Sequence, residues 1–486
     1  MVFNSFAFLV FFPIVLLLYF ALPKKISWIA LLLASYYFYI SWNVELIYLI
    51  VFTTVISWVS SMLIERTQNK VIRKLFLVLT LVTCLGILFF YKYFNFISDS
   101  VVDALKAFGI GADPFNLDLI LPVGISFYTF QTLSYVIDVY RGDVKTERNF
   151  FFYALYVVYF PQLVAGPIER PNNLLPQLHE RHKPTWENTR NGLRKMLIGF
   201  FKKVVVADLI ATYVNAVYND AANATGLGVV IATVLFAVQI YCDFAGYTDI
   251  AIGCAEIMGI HLMQNFNRPY ISESIPEFWR RWHISLSSWF KDYIYFPLGG
   301  SRCATWKNLR NILIVFMVSG LWHGAAWTFV IWGALHGMYQ VVGKLLKPLR
   351  EKFVDVMHIS RDAKWLHLYR KCFTFVLVCF AWIFFRANST ADALLLVKKL
   401  FTDWSISDAY IKGSIDQLGL TWIAVLISIL SIYIMNRMDI NQLKLGSDAD
   451  GAIPVFRYAY IIWIIAIAWL LLLVGDGASS FIYFQF

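Results

Sequence analysis

The chain has 486 residues, 59% of them hydrophobic and 18% aromatic, with a formal net charge of +10 and a mean hydropathy of +0.63. Soluble domains average roughly 45–50% apolar residues, so this composition excludes an ordinary soluble domain and describes a polytopic, all-α membrane protein. The Lys and Arg residues cluster in short loops between apolar runs. That is the positive-inside pattern, with lipid headgroups rather than nucleic acid as the partner.

Apolar runs fall near residues 3–22, 27–42, 45–63, 76–96, 119–138, 150–165, 195–218 and 228–253, then 370–387, 418–436 and 455–474. With the uncharged stretch 311–343 counted as one or two spans, about 11–13 crossings are predicted, since about 20 apolar residues suffice for each. The first run lacks a basic leader and an A-x-A-like cleavage site, and Lys24 and Lys25 follow it, so it reads as a retained span. The basic loops at 24–25, 66–74, 141–203, 280–310 and 344–361 are assigned to the cytoplasm, and 97–118 and 388–417 to the outside. Both termini are then extracytoplasmic. No composition break marks a second domain, so residues 1–486 read as one membrane domain, its motif-bearing core near 119–343 and its C-terminal spans and extracytoplasmic tail at 370–486. Six Cys form no CxxC pair or zinc spacing, so neither a metal site nor a disulfide framework is expected.

Three motif regions precede the centre, the first of them, LPVGISFYTFQTLSYVIDVYRG, ending at a basic cytoplasmic loop. In YFPQLVAGPIERPNNLLPQL, four prolines interrupt an apolar run around Gln162. Irregular backbone at membrane depth survives where protein buries it or water lines it, so this is either a re-entrant segment or an ordinary span end with a capped loop. In QIYCDFAGYTDIAIG, Asp243 and Asp249 interrupt an apolar stretch. Such carboxylates face the protein interior or a cavity, where they either bind substrate or hold neighbouring Tyr, Arg or helix-end groups.

The centre is residues 274–343. Ser274-x-x-Glu277 with Pro276 reads as a capped helix start. At 100° per residue, Phe278, Trp279, Trp282, Leu286, Trp289, Phe290 and Tyr293 share an arc of about 120°. Arg280, Arg281, Ser287, Ser288, Lys291 and Asp292 fill the opposite side. This predicts a helix lying in the membrane interface, with His283 at the edge of its aromatic arc. His283 is there either an idle interfacial residue or a group meeting a cytoplasmic donor. Beyond the basic link 301–310, residues 311–343 carry no formal charge, and His323 lies roughly 18 Å along a helix from Asn311. An ionisable group at that depth is costly, and Gly320 and Gly324 beside it permit close approach. His323 is either a neutral base or a hydrogen-bonded packing residue. His336, on another helix face, reads as structural or supporting.

FNRPYISESIPEFWRRWHISLSSWFKDYIYFPLGG followed by SGLWHGAAWTFVIWGALHG resembles the membrane-bound O-acyltransferase (MBOAT) superfamily, in its bacterial alginate O-acetyltransferase-like branch. The proline and YCDFAGYTDIAIG motifs match the same branch, so the resemblance covers nearly the whole chain. It implies a helical ring around a tunnel, with His323 catalytic and His283, forty residues upstream, supporting it. It also implies a cytoplasmic thioester donor, acetyl-CoA or the phosphopantetheine thioester of an acyl carrier protein, whose phosphate suits Arg280 and Arg281. By the same resemblance the chain lies in the bacterial cytoplasmic membrane and its acceptor is an extracytoplasmic polysaccharide, reached through an extracytoplasmic, hydrolase-like acetyl-transfer partner protein. Close alternatives are D-alanyl transfer toward teichoic acid and, more distantly, a non-catalytic donor transporter. The end of the chain, GDGASSFIYFQF, is either an aromatic interfacial anchor or, by its similarity to a C-terminal motif of this branch, an acyl relay through Tyr483.

Overall fold

The computed structural model describes residues 1–164, 166–420 and 422–445, so the apolar run at 455–474 and the tail with Tyr483 lie outside the described residues. Among the described residues every regular element is helical. That is the outcome the apolar sequence dictates, because a helix satisfies its own backbone N–H and C=O groups where water is absent. Among the described residues, four helices are long and apolar enough to cross a membrane: Val44–Arg66, Lys70–Ala107, Gly226–Ile257 and Lys364–Arg386. The described residues divide into two compact units: Met1–Leu197 with Tyr247–Met263, and Ile198–Gly246 with the described residues from Gln264 to 445.

In the first unit, the Lys70–Ala107 helix exposes Val71, Leu75, Leu79 and Val82, an outward apolar face suited to lipid. The helix Ile47–Arg66 instead buries a stripe of Thr53, Thr54, Ser57, Ser60 and Ser61. The hydroxyls of Thr53, Thr54, Ser57 and Ser61 donate to carbonyls one turn back, as Thr53 does to Leu49 at 3.0 Å and Ser61 to Ser57 at 2.8 Å. Small side chains whose polar ends are satisfied within their own helix let neighbours pack closely. Tyr153 reaches this stripe and donates to Ser57 Oγ at 2.7 Å.

The proline motif leaves the helix Phe150–Val158, makes the short turn Phe160–Leu163, and regains helical form at Pro171–His179. Pro161, Gln162, Leu163 and Ile168 are buried. Gln162 and Gln131 both donate from Nε2 to the Tyr156 carbonyl, at 2.8 and 2.6 Å. Gly166 packs so closely on Gln162 that a Cβ would overlap the Gln162 backbone.

In the second unit, the uncharged stretch resolves into a hairpin of two helices, Thr305–His323 and Trp327–Leu345. The break falls at Gly324–Ala326, so His323 is the last residue of the first helix. The two helices touch through glycine: a Cβ at Gly333 would lie 3.1 Å from the Gly320 Cα. The amphipathic stretch expected as one helix over 274–293 is instead Ile275–Arg281 and Ile284–Phe290, with a π-helical turn Lys291–Tyr295 after them. The break is at His283, whose φ of 42° and ψ of 55° place it in the left-handed region. Periodicity could not reveal this, since the residues around His283 favour helix and only tertiary contacts make the bend worthwhile.

Candidate active site

The first short helix starts as its sequence predicts. Ser274 Oγ accepts the Glu277 N–H at 3.3 Å, and the Glu277 carboxylate accepts the Glu273 N–H at 2.9 Å. Arg281 pairs with Glu277 at 2.9 Å and donates to the Asn267 carbonyl at 3.3 Å, whereas Arg280 is exposed. The helix ends at Trp282, whose N–H donates to Phe278 O at 2.8 Å.

The left-handed turn then drives His283 inward, where it is fully buried rather than interfacial. A non-glycine residue held in that region costs on the order of 1–3 kcal/mol, so the surroundings must enforce it. They do so through Asn265. Its backbone carbonyl accepts the Ile284 N–H at 2.9 Å. Its Oδ1 accepts the Ser285 N–H at 3.3 Å, the Ser285 hydroxyl at 2.9 Å, and faces His283 Nδ1 at 3.0 Å. His283 lies outside the spanning helices, and burial pushes its pKa down to about 3, so its ring is neutral.

The bend brings two histidines together. The ring centres of His283 and His323 are 6.4 Å apart. Aromatic rings enclose them: Phe244 lies 4.7 Å and Trp322 5.8 Å from His283, while Trp322, Trp332 and Phe385 lie 4.9, 5.0 and 5.4 Å from His323. Trp332 and Phe385 come from the second hairpin helix and from Lys364–Arg386, so four separate segments of this unit build the chamber. Three indoles pack in sequence behind Trp332's face of it. Trp282, Trp332 and Trp382 are fully buried, and their Nε1–H groups have no acceptor among the described residues. A tetrahedral oxyanion needs donors of this kind in a dry site. His336, one turn after Trp332, accepts the Trp279 indole N–H on Nδ1 at 3.2 Å, a supporting position.

Asp243 belongs to a different arrangement. Its carboxylate meets Lys203 at 2.6 Å, and Lys203 also meets Asp208 at 2.9 Å. Beside them Lys202 pairs with Asp439 at 2.7 Å, and Asp439 accepts the Tyr241 hydroxyl at 2.7 Å. Both lysines are buried and lie on a π-helical turn, Phe201–Ala207. Asp249 and Gln162 belong to the first unit, Asp249 half-buried and Gln162 buried. Tyr483 lies outside the described residues. Among the described residues, no group of three or more His, Cys, Asp or Glu is arranged to hold a metal ion. Nothing in the residue pattern marks Asn265, which sits in an irregular segment eighteen residues from His283. Trp332 and Phe385 are equally silent, because an aromatic residue in an apolar run signals burial and not its partner.

A membrane-embedded helical protein with two buried histidines in an aromatic chamber is built for chemistry on an apolar-shielded, charge-developing group, as acyl transfer requires. Residues 144–385 match the MBOAT, membrane-bound O-acyltransferase family. The chain is 35% identical to a probable alginate O-acetylase of Azotobacter vinelandii over the whole of both chains. It is also 35% identical to a peptidoglycan O-acetyltransferase of Helicobacter pylori, over 76% of this chain and 72% of that one. A teichoic acid D-alanyltransferase of Bacillus subtilis is 30% identical over 56% of this chain and 70% of its own length. The chain belongs to the membrane-bound O-acyltransferase family, and it is a multi-pass membrane acyltransferase.

Proposed function

We propose that the chain takes an acetyl group from a cytoplasmic thioester, acetyl-CoA before a carrier-bound donor, and delivers it across the cytoplasmic membrane for O-acetylation of an envelope or exported polysaccharide. The observation that carries this reading is the pair of buried histidine rings 6.4 Å apart at the hairpin end. The aromatic walls about 5 Å from His323 favour a small acyl group over a long chain.

His323 takes the proton of an acceptor hydroxyl as its oxygen attacks the thioester carbonyl carbon, with His283 beside it. The new C–O bond forms and the C–S bond breaks. The leaving thiolate takes the proton back from the imidazolium and departs as free thiol. Arg280, exposed at the end of its helix, meets the donor phosphate, with Arg281 beside it tied to Glu277. Asp243 holds the frame through Lys203, while Gln162, through its unpartnered Oε1, and Asp249 remain substrate contacts. Tyr483 is the proposed first acceptor, handing the acetyl group to a hydrolase-like external partner. Both termini lie outside the cytoplasm, and residues 1–486 act as one domain with its core at 119–343.

The test is His323→Ala in full-length protein supplied with labelled acetyl-CoA. Transfer should vanish while membrane insertion stays normal, and His283→Ala should be damaged but not null. Normal acetylation by a well-folded His323→Ala protein overturns the reading. Charged D-alanyl carrier protein, given in place of acetyl-CoA, decides against the D-alanyl alternative if it yields no transfer.

A further inference from the structure

We infer that Asn265 is the positioning residue that fixes His283 as its Nδ1–H tautomer and leaves the Nε2 lone pair bare toward the reaction centre. This rests on the reading of His283 and His323 as the reacting pair. The assignment follows from which atoms can only donate. The Ser285 backbone N–H, a donor and nothing else, points at the same Asn265 atom as His283 Nδ1, at 3.3 and 3.0 Å. That atom is therefore the amide oxygen, and an oxygen acceptor requires the proton to sit on His283 Nδ1. The Ser285 hydroxyl, 2.9 Å away, completes the set. All three residues are buried, so no bulk water competes for these bonds.

The other ring nitrogen follows. His283 Nε2 is buried and has no hydrogen-bond partner among the described residues. In the Nδ1–H tautomer it is an acceptor, fit to receive a hydroxyl proton or to hold a neighbouring N–H. The rings packed against it are Phe244, Trp322 and His323. Of these, His323 is the titratable group. Asp243, next to Phe244 in the chain, is held by Lys203. A histidine whose second nitrogen is oriented by a fixed partner is the arrangement that makes a base reproducible from turnover to turnover. Here a neutral amide takes the orienting role, so the ring is oriented without being made more basic.

The test compares two replacements of similar size. Asn265→Leu removes the acceptor. Asn265→Asp keeps it, along with every donor now paired to Oδ1, and so guards against simple misfolding. In full-length protein in membranes with labelled acetyl-CoA, Asn265→Leu should lower kcat by about 10–100-fold with KM for acetyl-CoA little changed. Asn265→Asp should keep most of the turnover and move the acid limb of the rate profile to higher pH, because a carboxylate against Nδ1–H favours the imidazolium. In a His283→Ala background, Asn265→Leu should add no further loss, since its effect runs through the missing ring. Full additivity in that background, an unshifted profile for Asn265→Asp, or wild-type turnover by Asn265→Leu overturns the assignment. Normal turnover by His283→Ala removes the reacting pair itself, and the positioning role with it.

Discussion

Replacing Gly320 with Ala puts one methyl group where the two hairpin helices touch. A Cβ there would lie 3.1 Å from the Phe329 carbonyl carbon and 3.3 Å from the Gly333 Cα. It would come nearer still to the Phe329 carbonyl oxygen, inside the 3.0 Å that real Cβ atoms essentially never show. The obstructing atoms are backbone, so no side chain can swing away. Reaching ordinary contact at 3.4–4 Å requires the helices to part. A parting of roughly 1 Å, with His323 one turn from the wedge, should cost about 100-fold in acyl transfer. Overpacking adds a stability loss of about 1–3 kcal/mol. The assay is acetyl transfer by membrane-inserted protein, with melting in detergent measured alongside. Gly343→Ala on the second hairpin helix is the control, because a Cβ there meets nothing within 4 Å. Wild-type transfer by a fully folded Gly320→Ala protein would refute the claim that backbone contact at this glycine sets the position of His323.

Three further outcomes are expected. Lys203→Met leaves Asp208 and Asp243 without their shared cation and should destabilise the protein by about 3–5 kcal/mol, while a Lys203→Met/Asp243→Leu double replacement recovers part of that loss; an unchanged melting temperature for Lys203→Met would count against a stabilising network. Tyr483→Phe keeps the aromatic ring and removes only the hydroxyl, so loss of polysaccharide acetylation is expected of a relay and near-silence of an anchor. Cysteines introduced near Lys307 should resist an impermeant reagent in intact cells, and those in 97–118 and 388–417 should react; external labelling near Lys307 would invert the donor side.

Much of the fold is written in the order of apolar and basic stretches. A run such as 228–253 has one way to satisfy its backbone in lipid, and it is a helix over Gly226–Ile257. The capped start at Ser274 is equally local, since a side-chain oxygen three residues from an N–H needs no distant partner. His323 is also readable as a candidate, because a histidine in an uncharged run stands out against its neighbours.

The arrangement of the site is not local, and the sequence does not contain it. The period of 3.6 residues predicts that 274–293 continues as one amphipathic helix, and the chain breaks it at His283. A left-handed histidine is unfavourable by itself and persists because Asn265, from outside the helix, takes up the Ile284 and Ser285 N–H groups. The same contact decides which imidazole nitrogen carries the proton, a property no composition or spacing encodes. Asp243 illustrates the same limit, since its carboxylate in an apolar helix marks a need for a partner without naming Lys203. The sequence by itself determined a helical membrane protein with a histidine in an uncharged run, because burial and backbone satisfaction are properties of each segment, and its acyltransferase class was legible only through its resemblance to a known family. Only the tertiary structure decided the histidine pair, its tautomer and its aromatic walls, because those depend on which segments meet.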